Sequence, residues 1–223
     1  DEAQDFGPVE FAIMMDAVSD KHQITIVGDV AQKILSARKF IGWNKVVDCL
    51  GLEEDSIIQL EVSFRCTVPI MTLAHKVAGD PKKVEGRAGS APEWKKVDNF
   101  VDLVEVLADW SRGLLRANPY KLVALICRYP KQAMELKEEM EKYLPGEVRL
   151  GHRDQFSFEP GVLVTNIHQV KGLEFDSVAL VEPDEENYPA KREESRNMIY
   201  VGITRTQEDL LLATIRPYSP VLF

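Results

Sequence analysis

The chain has 223 residues, 45% of them apolar and 28% charged, and a formal net charge of −9 from 27 basic and 36 acidic side chains. That length and composition suit one large domain or two small ones with a proper core, and exclude intrinsic disorder, collagen and a disulfide-dense scaffold. The acidic balance argues against a protein whose whole surface grips nucleic acid, while leaving room for a local cationic groove.

No apolar run approaches the roughly 20 residues that a membrane helix needs, so no membrane association is expected. No stretch has the pattern of a signal peptide. Cys49, Cys66 and Cys127 are odd in number, widely spaced and free of any CxxC pattern. That argues against structural disulfides and a cysteine zinc site, and a reducing cytoplasm is the simpler reading. The opening run Asp1-Glu2-Ala3-Gln4-Asp5 is a carboxylate cluster of the kind that follows a buried strand. A longer parent protein is therefore expected.

In chain order, Gly7-Pro8 marks a helix start. Phe11, Met14, Met15 and Val18 then recur at helical spacing, predicting an amphipathic helix over residues 8–19. Residues 23–27 read as a short β-branched strand ending at Gly28-Asp29. Residues 30–55 give no clear period. Residues 57–60 read as a second strand and residues 69–77 as a helix. Residues 79–96, rich in Gly, Pro and Lys, read as a loop or linker whose cations (Lys82, Lys83, Arg87, Lys95, Lys96) are either solvated or a phosphate-contacting patch. A helix follows on Phe100, Leu103, Val104, Leu107 and Trp110. Residues 122–127 form a buried-type strand. Pro130 opens a helix burying Ala133, Leu136, Met140, Tyr143 and Leu144, and Gly146 lies at its C-cap region. Strands at 162–164 and 178–181, a helix at 197–204 and a strand at 210–215 complete the pass. Apolar strands alternating with amphipathic helices predict an α/β fold: a mostly parallel sheet with helices on both faces.

Five segments carry polar groups at strand or helix ends. Asp1-Glu2 has the two adjacent carboxylates that Mg²⁺ binding and water activation require in phosphoryl transfer. Gly28-Asp29-Val30-Ala31-Gln32 places a Gln where α/β folds bind ligands. Ser63-Phe64-Arg65 offers an Arg for phosphate beside an aromatic ring for a base. Residues 165–176, TNIHQVKGLEFD, pack Thr, His, Lys, Gly, Glu and Asp between two core strands. Residues 197–206, NMIYVGITRT, end a helix on Arg205. Alone, each is an ordinary turn or cap; together, their order matters.

DEAQD, GDVAQ, SFR, VTNIHQVKGLEFD and MIYVGITR resemble motifs II to VI of superfamily 1 helicases of the UvrD/Rep/PcrA type, in the right order across nearly the whole chain. The resemblance implies an ATP-driven motor of two RecA-like (P-loop NTPase-type) lobes with ATP between them. Residues 1–58 would be the tail of the first lobe and residues 59–223 the second. Asp1 would hold Mg²⁺ and Glu2 would activate water. Gln32 would sense the γ-phosphate, Phe64 would stack on adenine, and Arg65 and Arg205 would contact the γ-phosphate. Glu174 would contact the ribose or lie near the phosphates. Thr165 and His168 would face the DNA backbone, with Lys171 and Gly172 shaping that loop. Implied ligands are ATP, Mg²⁺ and single-stranded DNA, with 3′ to 5′ movement and an upstream lobe of the same protein as partner.

Three features depart from that pattern. No GxxxxGK[ST] occurs in the sequence, so the chain by itself is expected not to turn over ATP. Between Arg65 and Lys171 there is room only for the loop, two helices and a strand, where UvrD-type helicases insert a large subdomain. The stacking Tyr and Trp of motif III are not in register after Gln32, although Trp43 lies nearby, either as a core residue or as a replacement platform. The last two features are similar to the helicase IV and HelD-like branch, which implies RNA polymerase as an alternative partner. A non-catalytic RecA-like module is the third reading.

Overall fold

The computed structural model describes residues 1–19, 24–33, 40, 42–51, 57–60, 62–63, 65–81, 83–152 and 156–223. The chain divides into two compact units, Asp1–Glu61 and Val62–Phe223.

The first unit is small and helical. A 3-10 turn at Ala3–Asp5 precedes α1 (Pro8–Ala17), and a second turn at Val30–Gln32 precedes α2 (Trp43–Leu50). Pro8 occupies the first helical position and Glu10 reaches back to the Gly7 N–H, so both ordinary N-terminal devices are used. Of the expected apolar face of α1, Phe11 is buried, whereas Met14 and Met15 pack at the margin of a core made with Ala3, Val46 and Leu50. Trp43 joins that margin, edge-on to Phe40 at 5.2 Å. Two expected strands are not formed. Residues 24–27 and 57–60 are irregular, and Ile58 and Leu60 are more than four-fifths exposed. A β-branched run becomes a strand only where another strand accepts its ladder, and none among the described residues of this unit does so.

The second unit is built on a six-stranded, wholly parallel sheet. Its strands are β3 (Glu93–Lys96), β4 (Leu122–Cys127), β5 (Val148–Leu150), β6 (Gly161–Asn166), β7 (Phe175–Val181) and β8 (Thr206–Thr214), in the order β3-β8-β7-β4-β6-β5. A separate two-residue ladder joins β1 (Val62–Ser63) to β2 (Glu85–Gly86). Helices α3 (Val68–Ala78), α4 (Phe100–Ala117), α5 (Pro130–Tyr143) and α6 (Glu193–Thr204) flank the large sheet. All six residues of β4 are buried, as expected of a central strand covered on both faces. Alternate side chains serve different layers. Val123, Leu125 and Cys127 pack with Leu103, Leu107, Leu136 and Met140 of α4 and α5. On the other face Leu180 and Ile167 press so closely on Gly202 of α6 that a Cβ there would lie 3.0 Å from Leu180. The expected loop 79–96 contains β2 and the edge strand β3, whose four residues are all exposed. No described helix is long and apolar enough to cross a membrane.

Parallel pairing fixes the geometry of function. The segment after β6 must return from the C-terminal end of the sheet to its N-terminal end, across β4, before β7 begins. Residues 167–174, the densest polar stretch in the sequence, make that return, and Gly172 takes the left-handed conformation (φ 76°) within it.

Candidate functional site

In the first unit, Glu2 sits in a left-handed conformation (φ 61°) that a non-glycine residue rarely adopts. Its backbone N–H donates to Asp1 Oδ1 at 2.7 Å, and its Oε2 accepts from Gln4 Nε2 at 2.5 Å. Gln4 is almost wholly buried, and its Oε1 accepts the Asp29 N–H at 3.0 Å. Asp29 in turn caps the turn at Ala31 and accepts from Gln32 Nε2 at 2.9 Å. Glu2 and Gln32 are thus joined by a hydrogen-bonded relay through Gln4 and Asp29, neither of which was assigned a role from sequence. Gly28 makes room for it, since a Cβ there would approach Gln4 Oε1 to 2.6 Å.

Asp1 is exposed and Glu2 half-buried, so the pair offers hard oxygen donors at a surface. Mg²⁺ is commonly held by one or two carboxylates with water and substrate phosphates completing its shell, and this donor set fits it. Among the described residues no group of three or more His, Cys, Asp or Glu is arranged to hold a metal.

In the second unit, the N-terminal end of the sheet gathers an arginine cluster. Arg65, just after β1, pairs with Glu174 at 2.5 Å, and both side chains are about two-fifths exposed. Glu174 also accepts from Gln207 at 3.2 Å. Arg87 donates to the carbonyls of Arg65 (3.1 Å) and Gln207 (2.6 Å), tying the segment after β1 to the start of β8. Arg205 is only 1% exposed. Its Nε donates to the Val201 carbonyl at 3.2 Å, Nη1 to the Leu173 carbonyl at 3.1 Å and Nη2 to the Thr204 hydroxyl at 3.3 Å. Arg205 therefore fastens the end of α6 to the 167–174 segment. This differs from the expectation of an open phosphate contact: the sheet encloses the guanidinium and backbone carbonyls occupy its donors. Cys66 lies beside these groups and donates to the Thr204 carbonyl at 3.6 Å. Burial pushes its thiol up to about 11, against the pull of Arg65 and Arg205. Phe64 lies outside the described residues.

The opposite, C-terminal end of the sheet holds a second cluster. Thr165 is fully buried and its hydroxyl donates to the Gly151 carbonyl at 2.8 Å. This corrects its assignment to the DNA backbone, because a buried hydroxyl already bonded within the sheet cannot reach a phosphate. His168 is exposed, and its Nε2 lies 2.8 Å from Arg128 Nη1. A guanidinium only donates, so that ring nitrogen carries a lone pair and the histidine is neutral. Burial and then the Arg128 charge hold the His168 pKa below its ordinary value, with Glu194 opposing. Arg128 is 9% exposed, lies 4.6 Å from the Tyr129 ring and 5.8 Å from that of Tyr188, and its Nε has no partner. Among the described residues no carboxylate pairs with it. Sequence reading missed Arg128 and Tyr129. Their signal was present, two polar residues at the end of an apolar strand and before a helix-starting Pro, but that pattern is also an ordinary strand exit. Lys171 and Gly172 lie on the returning segment, Lys171 half-buried and Gly172 exposed.

Residues 146–217 match a family described as the UvrD-like helicase C-terminal domain. The chain is 25% identical over 180 residues to the ATP-dependent DNA helicase Rep of Buchnera aphidicola subsp. Schizaphis graminum, covering 78% of this chain. It spans only 24% of that relative's length. Among solved structures, the C-terminal domain of a possible DNA helicase from Lactobacillus plantarum WCFS1 superposes with a TM-score of 0.60 at 26% identity, over 72% of this chain and 92% of that one. The family match includes Thr165, His168, Lys171, Gly172, Glu174 and Arg205, and leaves out Arg65 and the first unit.

Proposed function

On the premise that this chain carries a UvrD-like helicase C-terminal domain, we propose that its second unit is the second RecA-like lobe of an ATP-dependent superfamily 1 DNA helicase. The lobe serves a motor that steps 3′ to 5′ along single-stranded DNA. The observation that carries this reading is the gathering of Arg65, Glu174 and Arg205 at one end of a single parallel sheet, from three segments far apart in sequence. Phosphoryl transfer needs little covalent help from a protein; it needs positioned cations where charge accumulates.

Arg65 supplies such a cation. Its partner Glu174 is an exposed carboxylate, and exposed pairs contribute only about 0–1 kcal/mol, so an incoming phosphate displaces it easily. Arg205 approaches a phosphate only when the Leu173 carbonyl releases it, and movement of the 167–174 segment therefore gates its charge. In the first unit, Glu2 polarises the attacking water, and the relay through Gln4 and Asp29 holds Gln32 in register with it. Mg²⁺, held at Asp1, would supply charge neutralisation to the phosphates of ATP.

Strand contact falls to the other end of the sheet. Among the described residues Arg128 has no carboxylate partner, Tyr129 is 43% exposed, and Lys171 and Gly172 shape the adjoining segment. A fixed guanidinium binds a phosphate in two-pronged fashion and an exposed ring stacks on a base.

The test is the ATPase rate of the intact protein with and without single-stranded DNA at fixed salt. Strong stimulation is expected. Turnover indifferent to DNA would overturn the strand-stepping reading, and repeating the assay with RNA polymerase would then test that partner. The present chain, lacking GxxxxGK[ST], is expected to bind ATP only weakly. Calorimetry showing micromolar affinity would contradict that.

A further inference from the structure

Where β5 and β6 begin, they and the C-terminal turns of α4 and α5 enclose a cleft of about 610 Å³. Three guanidiniums line it, those of Arg112, Arg116 and Arg149, against one carboxylate, Glu147. This is an unusual local excess on a chain of net charge −9. Arg112 is committed, since it pairs with Asp109 and donates to the Tyr143 carbonyl at 3.1 Å. Among the described residues Arg149 meets the carbonyls of Pro160 at 3.0 Å and Glu159, and its buried Nε has no partner there. Arg116 is exposed and makes no hydrogen bond or ion pair with the described residues. Among the described residues neither Arg116 nor Arg149 is paired with a carboxylate, so the two cations outnumber Glu147 in the cleft. Leu115, Leu144 and Pro145 supply its apolar wall, and Tyr143 also lines it.

We propose that this cleft binds a phosphate carried on a nucleoside, either a free nucleotide or one unit of a strand. A guanidinium fork matches a phosphate in two-pronged geometry and also stacks on a planar base, which lysine does not do. Charge alone would suit any anion, but the apolar wall favours one bearing a ring. The volume lies in the range of pockets that take small ligands. The cleft is at the sheet end opposite Arg128 and His168, and it does not depend on the proposed motor function.

The test is amide NMR on the full 223-residue chain with pyrophosphate, AMP or a short oligothymidylate. AMP is expected to shift the Leu115, Gly146 and Gly161 amides at about millimolar concentration. Arg116→Ala should weaken that binding about tenfold and Arg116→Lys should restore part of it. Arg116 is the residue to change because its exposure leaves folding intact, whereas Arg149 also closes the segment at Glu159–Pro160. If the oligonucleotide shifts these amides and AMP does not, the source is a strand; the reverse pattern identifies a free nucleotide. Pyrophosphate binding as well as AMP would overturn the nucleoside preference. Silence at these amides with all three ligands, or shifts unchanged by Arg116→Ala, would overturn the site.

Discussion

Two arginines, one at each end of the six-stranded sheet, carry their charge in opposite ways. At the N-terminal end, Arg65 is exposed and paired with an exposed carboxylate. At the C-terminal end, Arg128 is buried against two tyrosines and faces a neutral imidazole. A carboxylate partner cancels the cation until a stronger anion arrives, so the first arrangement suits a contact made and broken in a cycle. A neutral partner orients the cation without cancelling it, so the second suits a contact that is always ready. Burial also raises the value of each uncompensated charge, because water screens it less.

The largest effect is expected from Arg205→Ala. It removes a buried guanidinium bonded to two backbone carbonyls and a hydroxyl, and the orphaned carbonyls should cost on the order of 3 kcal/mol in urea unfolding. Turnover of the intact protein should vanish while strand binding stays nearly unchanged. Normal ATPase activity would remove Arg205 from the phosphate site altogether. Next is Arg128→Ala. Strand affinity should fall about tenfold, and its salt dependence should flatten by about 0.7 in log–log slope for one lost phosphate contact. Folding stability should fall by less than for Arg205→Ala, because among the described residues no carboxylate is left unpaired and the loss is of packing against Tyr129 and Tyr188. An unchanged slope would erase the contrast between the two ends.

Thr165→Val should cost about 1 kcal/mol through the lost bond to the Gly151 carbonyl and leave strand affinity as it was. A large loss of affinity would return Thr165 to the strand surface. Glu174→Gln should move unfolding by less than about 1 kcal/mol, since both partners are exposed. A larger loss would make the pair structural rather than exchangeable. The smallest effect is on pH. The His168 pKa is lower in the folded chain than its ordinary value of about 6.5, so the unfolded chain takes up its proton first. This contribution to stability is present above that pH and is lost as pH falls through the folded value. His168→Gln should remove it, which parallel unfolding curves across that range would detect.

Much of the second unit can be read from the amino-acid order. Residues 122–127, 162–164 and 178–181 are strands because they are continuous apolar runs that a parallel sheet buries on both faces. Residues 133, 136 and 140 mark the inner face of α5 by their spacing. The polar segment 165–176 stands out because such groups rarely interrupt two core strands. The edge strands β3 and β5 are not legible, since the first is fully exposed and the second is three residues long. Their pairing comes from neighbours β8 and β6, not from their own pattern. The runs at 24–27 and 57–60 carry strand-forming residues and form no strand, for want of a ladder to join.

What the sequence by itself determined is a parallel α/β lobe and an ordered set of polar motifs, because periodicity and motif order are local properties. What only the tertiary structure decided is the state of each charged group. The return of residues 167–174 beneath β4 brings Leu173 to Arg205, and the β4–β6 pairing brings His168 to Arg128 across 40 residues of chain. Whether an arginine is exposed and exchangeable, buried and fastened, or buried beside a neutral partner depends on the atoms around it. Those atoms arrive from distant segments only when the sheet closes.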